Sequence, residues 1–279
     1  MSIKLTILCE NTVEKASPYG LLGEYGFSCL IEIDGSNYLF DTGGGLTIIN
    51  NADRLGIDLS RLDGIILSHG HLDHTGGLTQ VLEKTGPIAV YAHPDLFVRR
   101  HSAHGDAPRD ISIPWNQHEL EARGARFHLS TEAVHLGQNM ILSGCVPRTN
   151  PHESGDENLT IESAPGNNVR DPLEDDLSVF AQTDKGLVLL LGCAHAGLMN
   201  IMDHAQKVTG DQRIHAILGG THLMVSNTAQ RQITMDRIAT EDVTYIGASH
   251  CTGRKGMLAL SARFKERFFS ATVGAVLEL

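Results

Sequence analysis

Residues 64–68, Gly-Ile-Ile-Leu-Ser, form a short apolar run that empties directly into His69-Gly70-His71-Leu72-Asp73-His74. A run that is apolar on both faces suits a strand covered on both sides, which is the situation inside an α/β sheet. The arrangement recurs in the last third of the chain. Strands predicted over 186–192, 214–218 and 243–247 lead into Cys193-Ala194-His195, Gly219-Gly220-Thr221-His222 and Ala248-Ser249-His250-Cys251. Open α/β sheets place ligands at the carboxyl ends of such strands, so these loops are where a site is expected.

The remaining pattern is an alternation of strands and helices. Strands are predicted over 3–9, 28–34 and 37–41, the last two joined by the hairpin signal Asp34-Gly35. A helix follows over about 46–55, another runs from 75 to 84 and stops at Gly86-Pro87, and a strand covers 88–91. Strands over 125–129, 133–142 and 177–182, helices over 198–208, 228–239 and 256–267, and a strand over 272–278 complete the series. The segments 99–118 and 143–176 are polar and carry repeated prolines, so both read as long loops. No linker or tandem repeat separates the halves, which predicts a single domain over 1–279 with an internal pseudo-duplication.

Composition limits what such a domain can bind. Lys+Arg 22 against Asp+Glu 33 gives a formal charge of −11, and Arg99, Arg100 and the Arg254-Lys255 pair are too short and isolated to make a basic stripe. Neither nucleic acid nor an anionic membrane surface is an expected partner. No segment approaches the about 18 consecutive apolar residues of a membrane-spanning helix, and residues 1–10 read as a first strand rather than a signal peptide. The five cysteines, at 9, 29, 145, 193 and 251, show no CxxC spacing and are odd in number, so a reducing cytoplasm is the expected compartment.

Fifteen histidines are the unusual feature, and their placement decides their meaning. His69, His71, Asp73 and His74 put four metal-competent side chains within six residues, and imidazole and carboxylate are the usual ligands of zinc, iron or manganese. In an extended loop residues two apart face the same way, so His69 and His71 can share one ion, while Asp73 and His74 diverge toward a second. A solvated helix-capping loop is the bland alternative, and four such side chains packed behind a buried strand count against it. His101 and His104 have helical ligand spacing but lie in a polar loop. Trp115, Arg99 and Arg100 read as a solvated loop or a lid, and Arg148, His152 and Glu153 as loop residues within reach of a site.

His-x-His-x-Asp-His behind an apolar strand, with Leu39-Phe40-Asp41-Thr42-Gly43 upstream, resembles the metallo-β-lactamase fold superfamily. That resemblance implies a four-layer αβ/βα sandwich with a one- or two-metal site at one sheet edge. It assigns His69, His71 and one later histidine to a first metal, Asp73, His74 and another later histidine to a second, and a supporting position to Asp41. Gly23-Glu24-Tyr25-Gly26-Phe27-Ser28 and the three late histidine loops resemble a narrower, dihydropteroate-synthase-like branch, that of 7,8-dihydropterin-6-yl-methyl-aminobenzene-ribofuranosyl 5′-phosphate synthase. The superfamily commonly bridges its two metals with an Asp where this chain has Cys193 or His195. His195 and His250 are expected to be the late ligands and His222 to face the substrate, with His222 replacing His195 as the alternative. Cys193 reads as a small buried residue rather than a ligand, with a bridging thiolate as the alternative.

The chemistry that follows is hydrolysis. Two divalent ions, zinc first and iron or manganese as alternatives, lower the pKa of a shared water from 15.7 toward about 7. Asp73 would orient or deprotonate that water, and His222 would act on a small-molecule ester, lactone, amide or phosphoester. A pterin-joining synthase, condensing a hydroxymethylpterin diphosphate with an arylamine, is the alternative expectation, and a non-catalytic metal-bearing sensor is the third. Oligomeric state leaves no mark in the sequence.

Overall fold

The computed structural model describes residues 2–164 and 167–279. The strands are β1 (Ile3–Cys9), β2 (Ser28–Ile33), β3 (Ser36–Phe40), β4 (Gly64–Ile66), β5 (Ile88–Ala92), β6 (Arg100–Ser102), β7 (Arg109–Asp110), β8 (Ala125–Leu129) and β9 (Val134–Leu136). They continue with β10 (Met140–Leu142), β11 (Leu159–Ala164), β12 (Asn167–Arg170), β13 (Ser178–Thr183), β14 (Gly186–Leu191), β15 (Ile214–Gly220), β16 (Tyr245–Ser249), β17 (Phe268–Ser270) and β18 (Val276–Glu278). The helices are α1 (Ile48–Leu55), α2 (Leu72–Thr75), α3 (Leu78–Thr85), α4 (Gln117–Ala122), α5 (Leu198–Thr209), α6 (Thr228–Thr240) and α7 (Gly253–Phe264).

Two seven-stranded sheets, ordered β18-β1-β2-β3-β4-β5-β8 and β17-β16-β15-β14-β13-β10-β9, lie face to face. Alternation along each strand builds the layers, because successive side chains leave a strand on opposite faces. In β2, Cys29, Ile31 and Ile33 enter the core between the sheets, while Leu30 joins the core under α1 and α3. In β14, Val188 and Leu190 enter the central core, and Leu187, Leu189 and Leu191 pack on the α5 side with Ile201 and Met202. Helix, sheet, sheet and helix therefore stack in four layers, the αβ/βα sandwich that the resemblance implied. Among the described residues, no helix is long and apolar enough to cross a membrane.

Several expectations are refined. Asp34 and Gly35 both take left-handed backbone (φ 51° and 83°), as a tight two-residue hairpin requires. The single strand expected over 133–142 is a hairpin, β9 against β10, turned at Gly137 (φ 74°). The closing strand expected over 272–278 is β18 alone, with β17 on the other sheet. The segments expected as loops near 99–118 and 143–176 pair with each other instead. They form a third sheet ordered β12-β11-β6-β7, with Thr160 opposite His101. Strands of two to six residues with polar sequences carry little periodic signal, and the pairing of β6 with β11 that joins the two segments spans some sixty residues.

Arg100 anchors this third sheet to the rest. Its guanidinium is 2% exposed and pairs with Asp171 (Nε–Oδ2, 2.8 Å) and Asp175 (Nη2–Oδ1, 2.9 Å). Asp175 Oδ2 in turn accepts the backbone N–H of Gly70 at 2.8 Å, inside the histidine loop. Gly70 has no room for a side chain, since a Cβ there would stand 2.2 Å from the Leu96 carbonyl oxygen. Replacing Arg100 with Ala leaves two buried carboxylates uncompensated, a change that costs about 3–5 kcal/mol in comparable pairs. Urea unfolding of Arg100→Ala is expected to show that loss, and an unchanged midpoint would contradict the anchoring role.

Candidate metal centre

The parallel pairing of β3 with β4, of β14 with β15 and of β15 with β16 brings the carboxyl ends of five strands to one edge of the sandwich. Leu191 lies opposite Gly219, and Gly220 opposite Ser249, so the loops carrying His195, His222 and His250 leave the sheet side by side. Gly192 permits this approach, because a Cβ there would stand 2.3 Å from Ser68 Oγ. Asp41, Ala194, His222 and His250 all take left-handed backbone (φ 58°, 58°, 51° and 48°). Such conformations in residues other than glycine are costly and cluster where side chains must be aimed.

Two sets of donor atoms converge there. His69 Nε2 lies 2.9 Å from His71 Nδ1 and 3.3 Å from His195 Nε2. Beside it, His250 Nε2 lies 3.2 Å from His74 Nε2 and 3.3 Å from Asp73 Oδ2. His69, His71, His74, His195 and His250 are all buried, and the Asp73 side chain is 24% exposed. The two sets adjoin, with the His69 and His74 rings 4.2 Å apart. Every residue expected to hold metal is thus drawn together.

Hydrogen bonding fixes which nitrogens carry lone pairs. The Asp41 carboxylate can only accept, and it takes the Ser68 backbone N–H (2.7 Å), the Ser68 hydroxyl (2.7 Å) and His74 Nδ1–H (2.7 Å). Ser68 Oγ, having given its proton to Asp41, accepts from His69 Nδ1 at 2.8 Å. Asn11 Oδ1 accepts from His250 Nδ1 at 3.0 Å. The Nε2 atoms of neutral His69, His74 and His250 are therefore left as lone pairs aimed at one another. Imidazoles about a tetrahedral zinc, at 2.0–2.1 Å each, place their nitrogens about 3.3 Å apart. The observed spacings are of that size, so these residues fit divalent cations.

The electrostatics agree. Burial pushes His69 and His195 well below the ordinary histidine pKa, helped by neighbouring histidines, and burial lowers His71 to about 3, so all three are neutral and competent as ligands. Burial would lower His74 too, but Asp41 and Asp73 raise it to about 9. Positive charge is wanted at that position, and a proton on His74 and a metal cation compete for it. Burial would raise the Asp73 carboxyl, yet His74, His250 and His71 hold it below the usual carboxylate range.

His222 stands beside the first set, with a ring nitrogen within 4.8 Å of the donor atoms of Cys193 and His195. It lies against His195 (ring centroids 4.3 Å) and lines a cleft of about 530 Å³ with Asp156, His104, Leu223 and Met224. Asp156 Oδ2 stands 2.6 Å from His104 Nε2 and 3.7 Å from His222 Nε2. Burial disfavours charge on His222, but Asp156 and Cys251 raise its pKa. His101 is not part of this cleft, whereas His104 is. Arg148 donates to the His195 carbonyl oxygen (2.6 Å), and Glu153 accepts from the Met199 and Asn200 N–H groups at the start of α5 (2.8 and 2.9 Å). Arg99 pairs with Asp110 on the surface, and Trp115 packs beside the α1–α3 core, so neither forms a lid.

Sequence reasoning missed Ser68, Asn11, Glu10 and Asp156. Glu10 Oε1 accepts the His250 N–H at 2.7 Å and so fixes the strained turn. None of these residues belongs to a spaced motif. Only the position of Ser68, at the junction of strand and histidine loop, offered a signal.

The chain belongs to the metallo-beta-lactamase superfamily, whose family model matches residues 22–197. Over 99% of its length it is 27% identical to the 7,8-dihydropterin-6-methyl-4-(beta-D-ribofuranosyl)-aminobenzene-5'-phosphate synthase of Methanocaldococcus jannaschii, 97% of which is covered. It is 33% identical to an uncharacterized protein of the same organism, over 92% of this chain and 93% of that one. The crystal structure of Tm1679, a metal-dependent hydrolase of the beta-lactamase superfamily, superposes with a TM-score of 0.83 at 25% identity and covers 99% of both chains. The superfamily and the branch suggested by the sequence motifs are both represented in these relatives.

Because Asp41 sets the orientation of both inner histidines, Asp41→Asn replaces an acceptor with a donor facing Ser68 or His74. Loss of such supporting groups typically weakens metal affinity 10–100-fold. Competition of zinc-loaded protein against a chromophoric chelator is expected to show about that drop in Asp41→Asn. Unchanged affinity would remove Asp41 from the account.

Proposed function

We propose that the chain is a metal-dependent hydrolase of a small molecule carrying an ester, lactone, amide or phosphoester bond. In this reading His69, His71 and His195 hold one divalent cation, zinc first among the candidates, and Asp73, His74 and His250 hold a second. The observation that carries it is the pair of converging donor sets beside an open polar cleft. The likeness to a metal-dependent hydrolase over nearly the whole chain supports it.

When bound, the cations supply a lowered water pKa and polarise a carbonyl or phosphoryl oxygen. The protein's own residues do the rest. Asp73 remains ionised at neutral pH and its partly exposed oxygen orients the attacking water. His222, on the cleft wall and kept protonated by Asp156, donates a proton to the departing oxygen or nitrogen as its bond breaks. His69, His71 and His195 stay neutral and do not compete for that proton. Leu223 and Met224 give one side of the cleft an apolar wall.

A second reading is favoured by one observation, the 27% identity to a pterin-linked synthase along almost the full chain. There the nucleophile would be an arylamine and the leaving group a diphosphate on a hydroxymethylpterin. A panel of chromogenic esters and phosphodiesters, beside a pterin diphosphate with and without arylamine, separates the two. The hydrolase reading predicts metal-dependent turnover of a single substrate that His71→Ala abolishes. Product only when pterin diphosphate and arylamine are both present would replace it with the synthase. Tight binding without turnover would make the chain a sensor. Under the hydrolase reading His222→Asn is expected to lower kcat about 10²–10⁴-fold, the usual worth of a positioned acid, with bound metal unchanged by elemental analysis. Loss of metal in His222→Asn would instead make His222 a ligand.

A further inference from the structure

Cys193 does not sit where a merely space-filling residue would. Its Sγ is 3.1 Å from His74 Nε2. It lies within 4.8 Å of the donor atoms of His69 and His74 together, of His195 and His222 together, and of His250 and Cys251 together. It thus reaches members of both donor sets from the seam between them. Gly192 before it and the left-handed Ala194 after it let Cys193 and His195 both present their side chains to the site.

Other roles fit less well. A thiol–imidazole hydrogen bond accounts for the 3.1 Å contact, but it leaves the lone pair of His250 Nε2, 3.2 Å from His74 Nε2, without a partner that a shared cation would supply. A nucleophile would have to face the substrate, yet Ala194 and His195 line the cleft and Cys193 does not. A disulfide with Cys251 is not formed, and Cys251 Sγ is directed to the Cys193 carbonyl oxygen at 3.4 Å. Sulfur among five imidazoles and a carboxylate is a borderline-to-soft donor set, suited to zinc, iron or cobalt over magnesium or calcium.

We propose that Cys193 is a thiolate ligand shared by the two cation positions, making this a sulfur-bridged centre selective for borderline divalent ions. The inference rests on the reading above that the two donor sets hold cations. On binding, the S–H proton passes to solvent and sulfur–metal bonds form, with no change of oxidation state.

Titration of the metal-free full-length chain with Co²⁺, followed by absorption, tests it. The expected result is visible d–d bands together with an intense near-ultraviolet sulfur-to-cobalt band, both growing until two ions per chain are bound. Cys193→Ser should keep the d–d bands and lose the near-ultraviolet band to background, whereas Cys251→Ser should keep both. Cobalt bound without the near-ultraviolet band, or a band that vanishes in Cys251→Ser and survives in Cys193→Ser, overturns the thiolate but leaves the cation sites standing. No cobalt bound at all overturns the underlying reading instead. Should Cys193→Ser not fold, ¹¹³Cd resonances of the unaltered protein decide. Two signals both displaced downfield by sulfur are expected, and a single displaced signal contradicts a shared ligand.

Discussion

One buried carboxylate organises this centre. Asp41 is fully buried, and an ionised group there is tolerable only because three donors meet it, two from Ser68 and one from His74. Those bonds fix Ser68 as an acceptor for His69 and fix His74 with its Nε2 turned inward. A single side chain at the end of β3 thereby orients one histidine in each donor set, and it does so through residues at the end of the neighbouring strand. The parallel pairing of Phe40 with Ile66 is what sets Asp41 beside Ser68. A slip of that register would separate the carboxylate from all its partners.

The rest of the architecture converges on the same edge. The first sheet supplies Asp41 and the His69–His74 loop, and the second supplies the loops of Cys193, His222 and His250. Neither sheet holds a complete donor set, so packing of the central core between them is what assembles the site. The third sheet acts from outside. Through Arg100 and Asp175 it clamps Gly70, and through Asp156 it closes the cleft over His222. Support at the donors and shape at the cleft thus come from different parts of the chain.

The strand–helix order and the His69–His74 cluster were legible in sequence because both rest on local signals, whereas the four-layer stacking and the division into two ligand sets came from the family resemblance. Apolar runs such as 64–68 and 186–191 announce buried strands, and histidines immediately behind them announce what those strands deliver. Strand ends singled out His195, His222 and His250 together, and the preference for His195 and His250 as ligands came from the family resemblance. What stayed hidden depends on contacts between distant segments. Ser68, Asn11 and Glu10 are ordinary polar residues until the fold sets them against histidines. The short strands β6, β7, β11 and β12 are defined by each other rather than by periodicity, so polar, proline-bearing sequence read as loops. Cys193 was read as a small buried residue with a bridging thiolate as the alternative, and its direction toward the histidines depends on the turn at Ala194, which no residue type announces.

The chemistry proposed for this chain depends on the two donor sets holding two divalent cations. Elemental analysis of the full chain, purified without chelators and expressed as metal atoms per chain, tests this most directly. Two atoms per chain of zinc, or of another borderline divalent ion, are predicted. Folded protein that carries no metal, even after incubation with zinc or manganese, would contradict it.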